Sequence, residues 1–412
     1  MTTMLPTTPV ATTSPRPTTS TTTTISTTTR IITTTTTTMT ATTTSTTMRI
    51  ITTTTTTMTA TTTSTTMRII TTTTITYVPS RWLNTTNMNF ARNAHTASVL
   101  TNGTVLIVGG ASSGNTLNSA ELYDPSTELW TKTSNMSDGR YWHTASILSN
   151  GKILIAGGSG TMGVINSAEL YDPSARVWTK TGNMSNARYV QTASTLNNGK
   201  VLVAGGYGNG SYLNSAELYE PSTGVWTRTG NMSVERYFHT ASMLTNGKVL
   251  IAGGLGNTGF SIITELYEPS TGVWTKTGNM SDGRYFHTAT TLNNGKILIA
   301  GGYGYYGYMN SAELYDPSTG VWTKTGNMSD GRYGSTASIL SNGKVLVAGG
   351  SGSSGYLNSA ELYDLSTGVW TKIGNMSVAR YAPAASRLTN GKILITGGYT
   401  FSGQTNSVEI YA

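Results

Sequence analysis

RYWHTASILSNGKILIAGG, residues 140–158, contains the pattern from which the fold can be read. Asn150–Gly151 is the favoured pair for a two-residue type I′ hairpin, because both central positions need positive φ. The residues before that pair form one short strand. Those after it, Ile153–Ala156, are a continuous apolar run, as expected of a strand buried on both faces. Gly157–Gly158 ends the run. Downstream, SAELYDP (Ser167–Pro173) alternates, with Ala168 and Leu170 on one face and Glu169 and Tyr171 on the other, before Asp172–Pro173 closes the strand. VWTKTG (Val177–Gly182) supplies a fourth strand, whose Thr and Lys residues suit an outer edge where unpaired backbone must be shielded from other chains. No segment has helical periodicity.

The same text recurs in one register. Glycine pairs stand at Gly109–Gly110, Gly157–Gly158, Gly205–Gly206, Gly253–Gly254, Gly301–Gly302, Gly349–Gly350 and Gly397–Gly398, each 48 residues after the last. The same step links Trp82 to Trp370, Arg92 to Arg380 and Tyr123 to Tyr411, and of the eight tryptophans only Trp142 is out of phase. A fixed period of this size denotes a solenoid, propeller or array. Four antiparallel strands per unit, repeated seven times, describe an all-β, seven-bladed β-propeller better than a solenoid. The last unit stops at Ala412, before a Trp strand, whereas Trp82 has no unit of its own. The segment around Trp82 is therefore expected to supply the outer strand of the final blade, so that deleting residues 77–90 destabilises the whole domain.

Residues 1–76 are almost entirely Thr with some Ser, Ile and Met, and the block RIITTTTTTMTATTTSTTM at Arg30 recurs at Arg49 and begins again at Arg68. Such a tract cannot bury enough apolar surface to offset its ordering entropy, which predicts a disordered low-complexity tail, 1–76, before a propeller, 77–412. Thr/Ser-rich tracts with Pro6, Pro9, Pro15 and Pro17 resemble O-glycosylated, mucin-like stalks; a plain disordered linker is the alternative. The start, MTTMLPTTPV, has neither a basic nor an apolar signal region, so either the protein is not secreted conventionally or Met1 is not the biological start.

Cysteine is absent, which excludes disulfides, thiolate metal sites, a cysteine nucleophile and a Tyr–Cys cross-linked cofactor. Net charge is +8, with four of the basic residues (Arg16, Arg30, Arg49, Arg68) in the acid-free tail, and charged residues make up 11% of the chain with no Lys/Arg cluster. No nucleic-acid partner is expected from that composition. Without an apolar run of 18 residues, no membrane insertion is expected either. The chain is expected to be a monomer.

Arg, a small-residue strand, Gly-Gly, Tyr and Trp at a spacing near 50 resemble the kelch repeat, and the resemblance covers all seven units. It implies a kelch-type propeller in which those recurrent positions are architecture. Strand alternation puts the loop after Gly-Gly and the loop between blades on one face of the disc. The post-glycine loops, ASSGNTLN, SGTMGVIN, YGNGSYLN, LGNTGFSI, YGYYGYMN, SGSSGYLN and YTFSGQTN, vary, whereas the Asn-Gly-Lys and Asp-Pro-Ser-Thr turns scarcely do. A selective ligand-binding face is thus expected at Tyr207, Tyr212, Phe260, Tyr303, Tyr305, Tyr306, Tyr308, Tyr356, Tyr399 and Phe401. The alternative is that these rings merely cover neighbouring blades. The resemblance adds that kelch-like propellers commonly bind ligands across such loops near the central channel.

His95, His143, His239 and His287 share one phase, three residues after the Arg, with Gln191, Ser335 and Pro383 in the other blades. Equivalent positions disperse around an axis instead of converging on a metal ion, so they are read as hydrogen-bonding residues and no metal or cofactor is expected. Asp138, Asp282 and Asp330, each before Gly-Arg, lie on separate blades for the same reason. Galactose-oxidase-like enzymes carry copper on a kelch-type propeller, but their Tyr–Cys cofactor needs a cysteine. Sialidase-type S-x-D-x-G-x-x-W boxes are missing. Ubiquitin-ligase adaptors of the kelch type place helical domains where this chain has its tail. The expectation is therefore a non-enzymatic module that binds a protein partner, with glycan binding or adhesion as the alternative and a carbohydrate-active or oxidase-like enzyme behind both. Asn135, Asn183, Asn231, Asn279, Asn327 and Asn375 begin Asn-Met-Ser sequons, and Asn84, Asn102 and Asn209 add three more. An extracellular or cell-surface location is the expectation, and sugars there would crowd the binding face.

Overall fold

The computed structural model describes residues 80–412 and, within the tail, the backbone of three strands, Thr18–Ile25, Ile50–Thr59 and Met67–Tyr77. Those strands form an antiparallel sheet with Met67–Tyr77 in the middle. Thr is β-branched and favours extended backbone, which is the local reason for strands here. The rest of the tail, and the reading of it as a stalk, lies outside the described residues. The chain divides into two compact units between Ser80 and Arg81, after the third tail strand.

Residues 81–412 fold as seven four-stranded antiparallel blades. In the second, Thr144–Ile147, Ile153–Ala156, Ala168–Asp172 and Val177–Lys180 pair in that order from the axis outward. The first strands of neighbouring blades, the seventh and first included, lie side by side around the axis. The seventh blade takes three strands from the C-terminal end, Ala384–Arg387, Ile393–Thr396 and Val408–Tyr411, and its outer strand, Trp82–Asn84, from the beginning of the propeller. Trp82 stands opposite Tyr411 and Asn84 opposite Glu409, while Arg81 and Ala412 exchange two backbone hydrogen bonds of 3.1 Å. Ring closure by the Trp82 segment is thus as the sequence predicts.

Core packing lies between blades. Each second strand is buried at all four positions because neighbouring blades cover both of its faces. At one seam Leu106 and Val108 meet Ile153, Ile155 and Tyr171; at the closing seam Leu394, Val408 and Ile410 meet Val105, Ile107 and Tyr123, with Met88 inserted. Every seam is also hydrogen-bonded through the glycine pair. The amide of the second glycine donates to the carbonyl of the next blade's arginine, from Gly110 to Arg140 (2.8 Å) around to Gly398 and Arg92 (2.9 Å). Gly109 has φ +62°, and a Cβ there would lie 2.5 Å from the Arg140 carbonyl and 2.8 Å from the His143 ring. Glycine is required at that position by backbone conformation and close approach together.

A buried ion pair recurs in every blade. Arg92–Glu121, Arg140–Glu169, Arg188–Glu217, Arg236–Glu265, Arg284–Glu313, Arg332–Glu361 and Arg380–Glu409 span 2.7 to 3.1 Å, with all side chains at most 1% exposed. The Arg140 guanidinium also donates to the carbonyls of Gly157 and Ser167, while Glu169 accepts from the Ser137 amide. One pair thereby fixes the interblade loop, the glycine pair and the third strand. Alternation within SAELYDP put Glu169 beside Tyr171 on one face but gave no sign that it is the arginine's partner. The in-phase aromatics are structural as well: Tyr171 packs on Trp178 at 4.9 Å and its hydroxyl meets Thr133 Oγ1 at 2.9 Å.

Candidate functional site on the loop face

Each post-glycine loop forms a two-residue ladder, such as Tyr207–Gly208 with Ser211–Tyr212, and bridges to the residue after the in-phase arginine. Tyr189 pairs with Tyr207, Tyr237 with Leu255 and Tyr381 with Tyr399 in this way. The variable loops and the interblade loops are therefore knitted together on one face, as strand alternation requires.

Nine of the ten aromatic residues expected at the site join one continuous field of rings spanning the loops of blades three to seven. Tyr207 meets Tyr212 at 5.4 Å, and Tyr212 meets Tyr237 at 5.1 Å. Phe260 stacks on Tyr285 and meets Tyr303 and Tyr305. Tyr308 links Tyr303 to Tyr333, while Tyr356 contacts Tyr381, Tyr399 and Phe401. Tyr306 stands apart, without a ring neighbour and fully exposed, and Tyr305 and Phe401 are 69% and 75% exposed. Tyr308 is exposed too and the remaining members are half-buried, so part of the aromatic set covers neighbouring loops and part faces solvent.

Sequence reasoning missed the inner members of this field, Tyr189, Tyr237, Phe238, Tyr285, Phe286, Tyr333 and Tyr381. The signal was the pair of residues following each in-phase arginine, which was passed over in favour of the arginine itself. Ala94, Trp142, Val190, Phe238, Phe286, Gly334 and Ala382 occupy the second of those positions, and all have φ between 50 and 62°. Each after the first donates its amide to the carbonyl of its equivalent one blade back, from Trp142 to Ala94 at 3.0 Å through to Ala382 and Gly334 at 2.9 Å. Bulky residues rarely adopt this conformation, and the belt of hydrogen bonds around the axis holds them in it. Trp142, the tryptophan out of phase, is explained here: it meets Phe238 at 5.1 Å and Phe286 at 5.2 Å over the axis. Beneath lies a cavity of about 230 Å³, bordered by Trp142, Val190, Phe238 and Phe286 with His143 and His287. On the opposite side of the axis Gly334 leaves room for the Tyr381 ring, which a Cβ would strike.

Burial pushes the Tyr237 phenol up to about 12 and that of Tyr381 higher still, so both remain protonated at neutral pH. The histidines are buried between blades and held by hydroxyls of the preceding blade: His143 by Thr96 (3.0 Å), His239 by Thr192 (2.9 Å), His287 by Thr240 (2.9 Å) and His95 by Thr396 (2.8 Å). Gln191 fills the same place, donating to the Ala156 carbonyl. Among the described residues no group of three or more His, Asp or Glu side chains is placed to hold a metal ion. Asp138, Asp282 and Asp330 lie on separate interblade loops, and each sequon asparagine from Asn135 to Asn375 is exposed beside a methionine buried in the core.

Desolvation lowers the His143 and His287 imidazoles to about 3. A group depressed in the folded state stabilises above its unfolded pKa and ceases to do so as pH falls toward its folded value. Stability should therefore fall as pH drops below about 6.5, by up to about 2 kcal/mol per such histidine at about pH 5. His143→Gln, which copies blade three, should reduce that slope in urea unfolding followed at pH 7.5 and 5; an unchanged slope would contradict the assignment.

Comparison with known proteins places this geometry. The model of the KLHDC2/KLHL20/DRC7 Kelch-repeats domain matches residues 94–280, and the Kelch motif matches 283–329 and 332–377. No curated protein sequence matches the chain. Among solved structures, a fungal alcohol oxidase of the AA5 family in complex with copper is similar at 21% identity and TM-score 0.68, over 81% of this chain and 76% of that one. YjhT is similar at 19% identity and TM-score 0.56, over 70% of this chain and 99% of the other. At these identities the two structures bear on the fold alone.

Proposed function

The chain belongs to the kelch-repeat β-propellers, and from that premise we propose that it is a non-enzymatic module that binds a protein partner with its loop face. One observation carries the reading. The blades are nearly identical wherever they hold the ring together, whereas the loops of one face depart from one another and bring their aromatic rings into a continuous field. Rigid aromatics on a preformed scaffold give contact area at low entropic cost, and exposed Tyr305, Tyr306 and Phe401 are candidate anchors. Absence of cysteine speaks against the Tyr–Cys copper chemistry of galactose-oxidase-like propellers, and burial holds the Tyr237 and Tyr381 phenols and the His143 imidazole in their neutral forms, engaged in packing or hydrogen bonds. Display on a glycosylated stalk outside the cell is part of the same proposal.

The test is affinity capture from the native source with the full chain, with Tyr305→Ser/Tyr306→Ser/Phe401→Ser, and with Lys200→Ala/Lys248→Ala on the opposite face. A specific partner should be retained by the first and third baits and fall at least about ten-fold on the second. Equal capture by all three would refute loop-face binding. Glycan binding is the second reading, favoured by the free-standing Tyr306 ring; saturable signals on a glycan array, lost in the triple variant, would put it first.

A further inference from the structure

Seven near-identical units provide an internal comparison: a feature present in every blade belongs to the blade, and a departure in one blade needs its own cause. Such a departure lies in the groove of about 460 Å³ between the loops of blades four and five, with Tyr305, Tyr306 and Tyr308 on one side and Ile262 and Asp282 on the other. Three interblade loops carry the same text, Ser-Asp-Gly-Arg. In two of them the carboxylate is tied down, Asp138 accepting from Ser167 Oγ at 2.8 Å and Asp330 from Ser359 Oγ at 2.9 Å. Among the described residues Asp282 makes no such bond to Ser311, although the Ser311 hydroxyl accepts from Arg284 just as Ser167 and Ser359 accept from Arg140 and Arg332. Asp282 meets the exposed Lys324 amine at 3.4 Å and interacts at longer range with the Arg284 guanidinium; an exposed pair of the first kind holds weakly.

Charge on the whole face points the same way. None of the seven post-glycine loops contains a charged residue. The interblade loops contribute Asp138, Glu235, Asp282 and Asp330, whereas their arginines are buried and matched by glutamates. Lys152, Lys200, Lys248, Lys296 and Lys344 follow the Asn-Gly turns, on the opposite face, and pair with carboxylates there. The loop face is thus rich in aromatic rings and carries interblade carboxylates, two of which meet outer-strand lysines, Asp282 with Lys324 and Asp330 with Lys372.

We propose that this groove is the subsite for a guanidinium or ammonium side chain on a basic segment of the partner, held by the rings of Tyr305, Tyr306 and Tyr308 and by the Asp282 carboxylate. Aromatic rings attract cations through their quadrupole, and a carboxylate accepts charge-assisted hydrogen bonds from the fork of an arginine. A neutral sugar would use the rings but bring no charge to replace Lys324 at the carboxylate, so the groove favours a cation. The incoming group takes the place of Lys324 beside Asp282. This inference rests on the loop-face reading and specifies its ligand chemistry.

Weak-affinity chromatography of the full chain on immobilised arginine, citrulline and chitotriose, at low and physiological salt, tests it. Citrulline keeps the shape of arginine without its charge, and the chain's own charge of +8 opposes non-specific retention on a basic resin. Retention on arginine should exceed that on citrulline by about five-fold. Asp282→Asn and Tyr306→Ala should abolish the excess and Lys324→Ala should increase it, while Asp138→Asn leaves it unchanged; near-ultraviolet circular dichroism confirms that each variant is folded. Equal retention on arginine and citrulline, or an Asp282→Asn chain that behaves as wild type, would overturn the cationic subsite. Retention on chitotriose alone would overturn it in favour of a glycan while leaving the loop face as the binding surface. Failure of the loop-face reading itself is registered separately, by the triple serine variant capturing the partner as well as wild type does.

Discussion

A chain lacking residues 77–90 is expected to lose the cooperative unfolding of the entire propeller, far from the site of the deletion as well as near it. The deleted segment contains the outer strand of blade seven, and with it the three pairings of Trp82–Asn84 with Val408–Tyr411. It also crosses to blade one. Met88, 1% exposed, fills the seam between the last blade and the first, and its backbone is bonded on both sides by Asn406. Thr85 meets the Tyr123 hydroxyl at 3.0 Å, Trp130 donates to the Thr86 carbonyl, and Asn89 and Phe90 donate their amides to Glu121, which would otherwise be buried with only Arg92 as a partner. Emptying the Met88 site alone costs about 2–5 kcal/mol, and a whole domain is stable by only about 5–15 kcal/mol. An open ring would expose the facing strands of blades one and seven, VLIV and ILIT, which are apolar except for Thr396. Thermal unfolding followed by near-ultraviolet circular dichroism should show either no transition or a midpoint lower by more than about 15 °C. An unchanged midpoint would refute closure by this segment.

How much was legible in the sequence depended on whether the signal was local. The apolar run Ile153–Ala156 and the glycine pair specify their own backbone, so strand number and the 48-residue register were readable. The Asn150–Gly151 turn, however, is not the expected type I′: Gly151 alone has positive φ, and its amide donates to the Leu148 carbonyl across Ser149 and Asn150, which makes a three-residue loop. Closure by Trp82 was readable because a missing strand at one end matched a spare strand at the other. Partners across a seam were not readable. Nothing adjacent to Glu169 in sequence says that it meets Arg140, 29 residues earlier, because the pairing depends on how the interblade loop folds back onto the third strand. The candidate site divided in the same way. Aromatics on variable loops stood out against a repeated background, and the structure brings nine of ten together. The residues after each arginine recur too regularly to attract notice, and the left-handed belt that aims Trp142, Phe238 and Phe286 at the axis appears only when seven blades are set in a ring. Repetition thus advertises architecture and hides any function built from the repeated positions.

The second large effect is expected at the buried ion pairs, with Arg236 and Glu265 as the clearest instance. They meet at 2.9 Å, with the arginine fully buried and the glutamate 1% exposed. Arg236 donates in addition to the carbonyls of Gly253 and Ile263, while Glu265 accepts from the Ser233 amide. In this blade Ile263 stands where all six others have serine, so the guanidinium has one hydroxyl acceptor fewer than Arg284 has in Ser311. Burying both charges costs solvation that their attraction only partly offsets, and the pair therefore need not stabilise the blade relative to an apolar filling. Breaking it is another matter. Arg236→Met leaves a carboxylate in the core and two carbonyls without donors, and should destabilise the propeller by about 3–5 kcal/mol. Glu265→Leu strands the guanidinium and the Ser233 amide, with a loss of similar size. The double variant removes both charges at once and should cost less than the sum of the single losses by about 1–3 kcal/mol, although it still forfeits the loop amide and the two carbonyl bonds. Urea unfolding of the four chains gives that coupling directly. Strict additivity would mean that the arginine acts through its carbonyl bonds alone, and that seven such pairs are seven separate clamps on the glycine turns with no electrostatic partnership behind them.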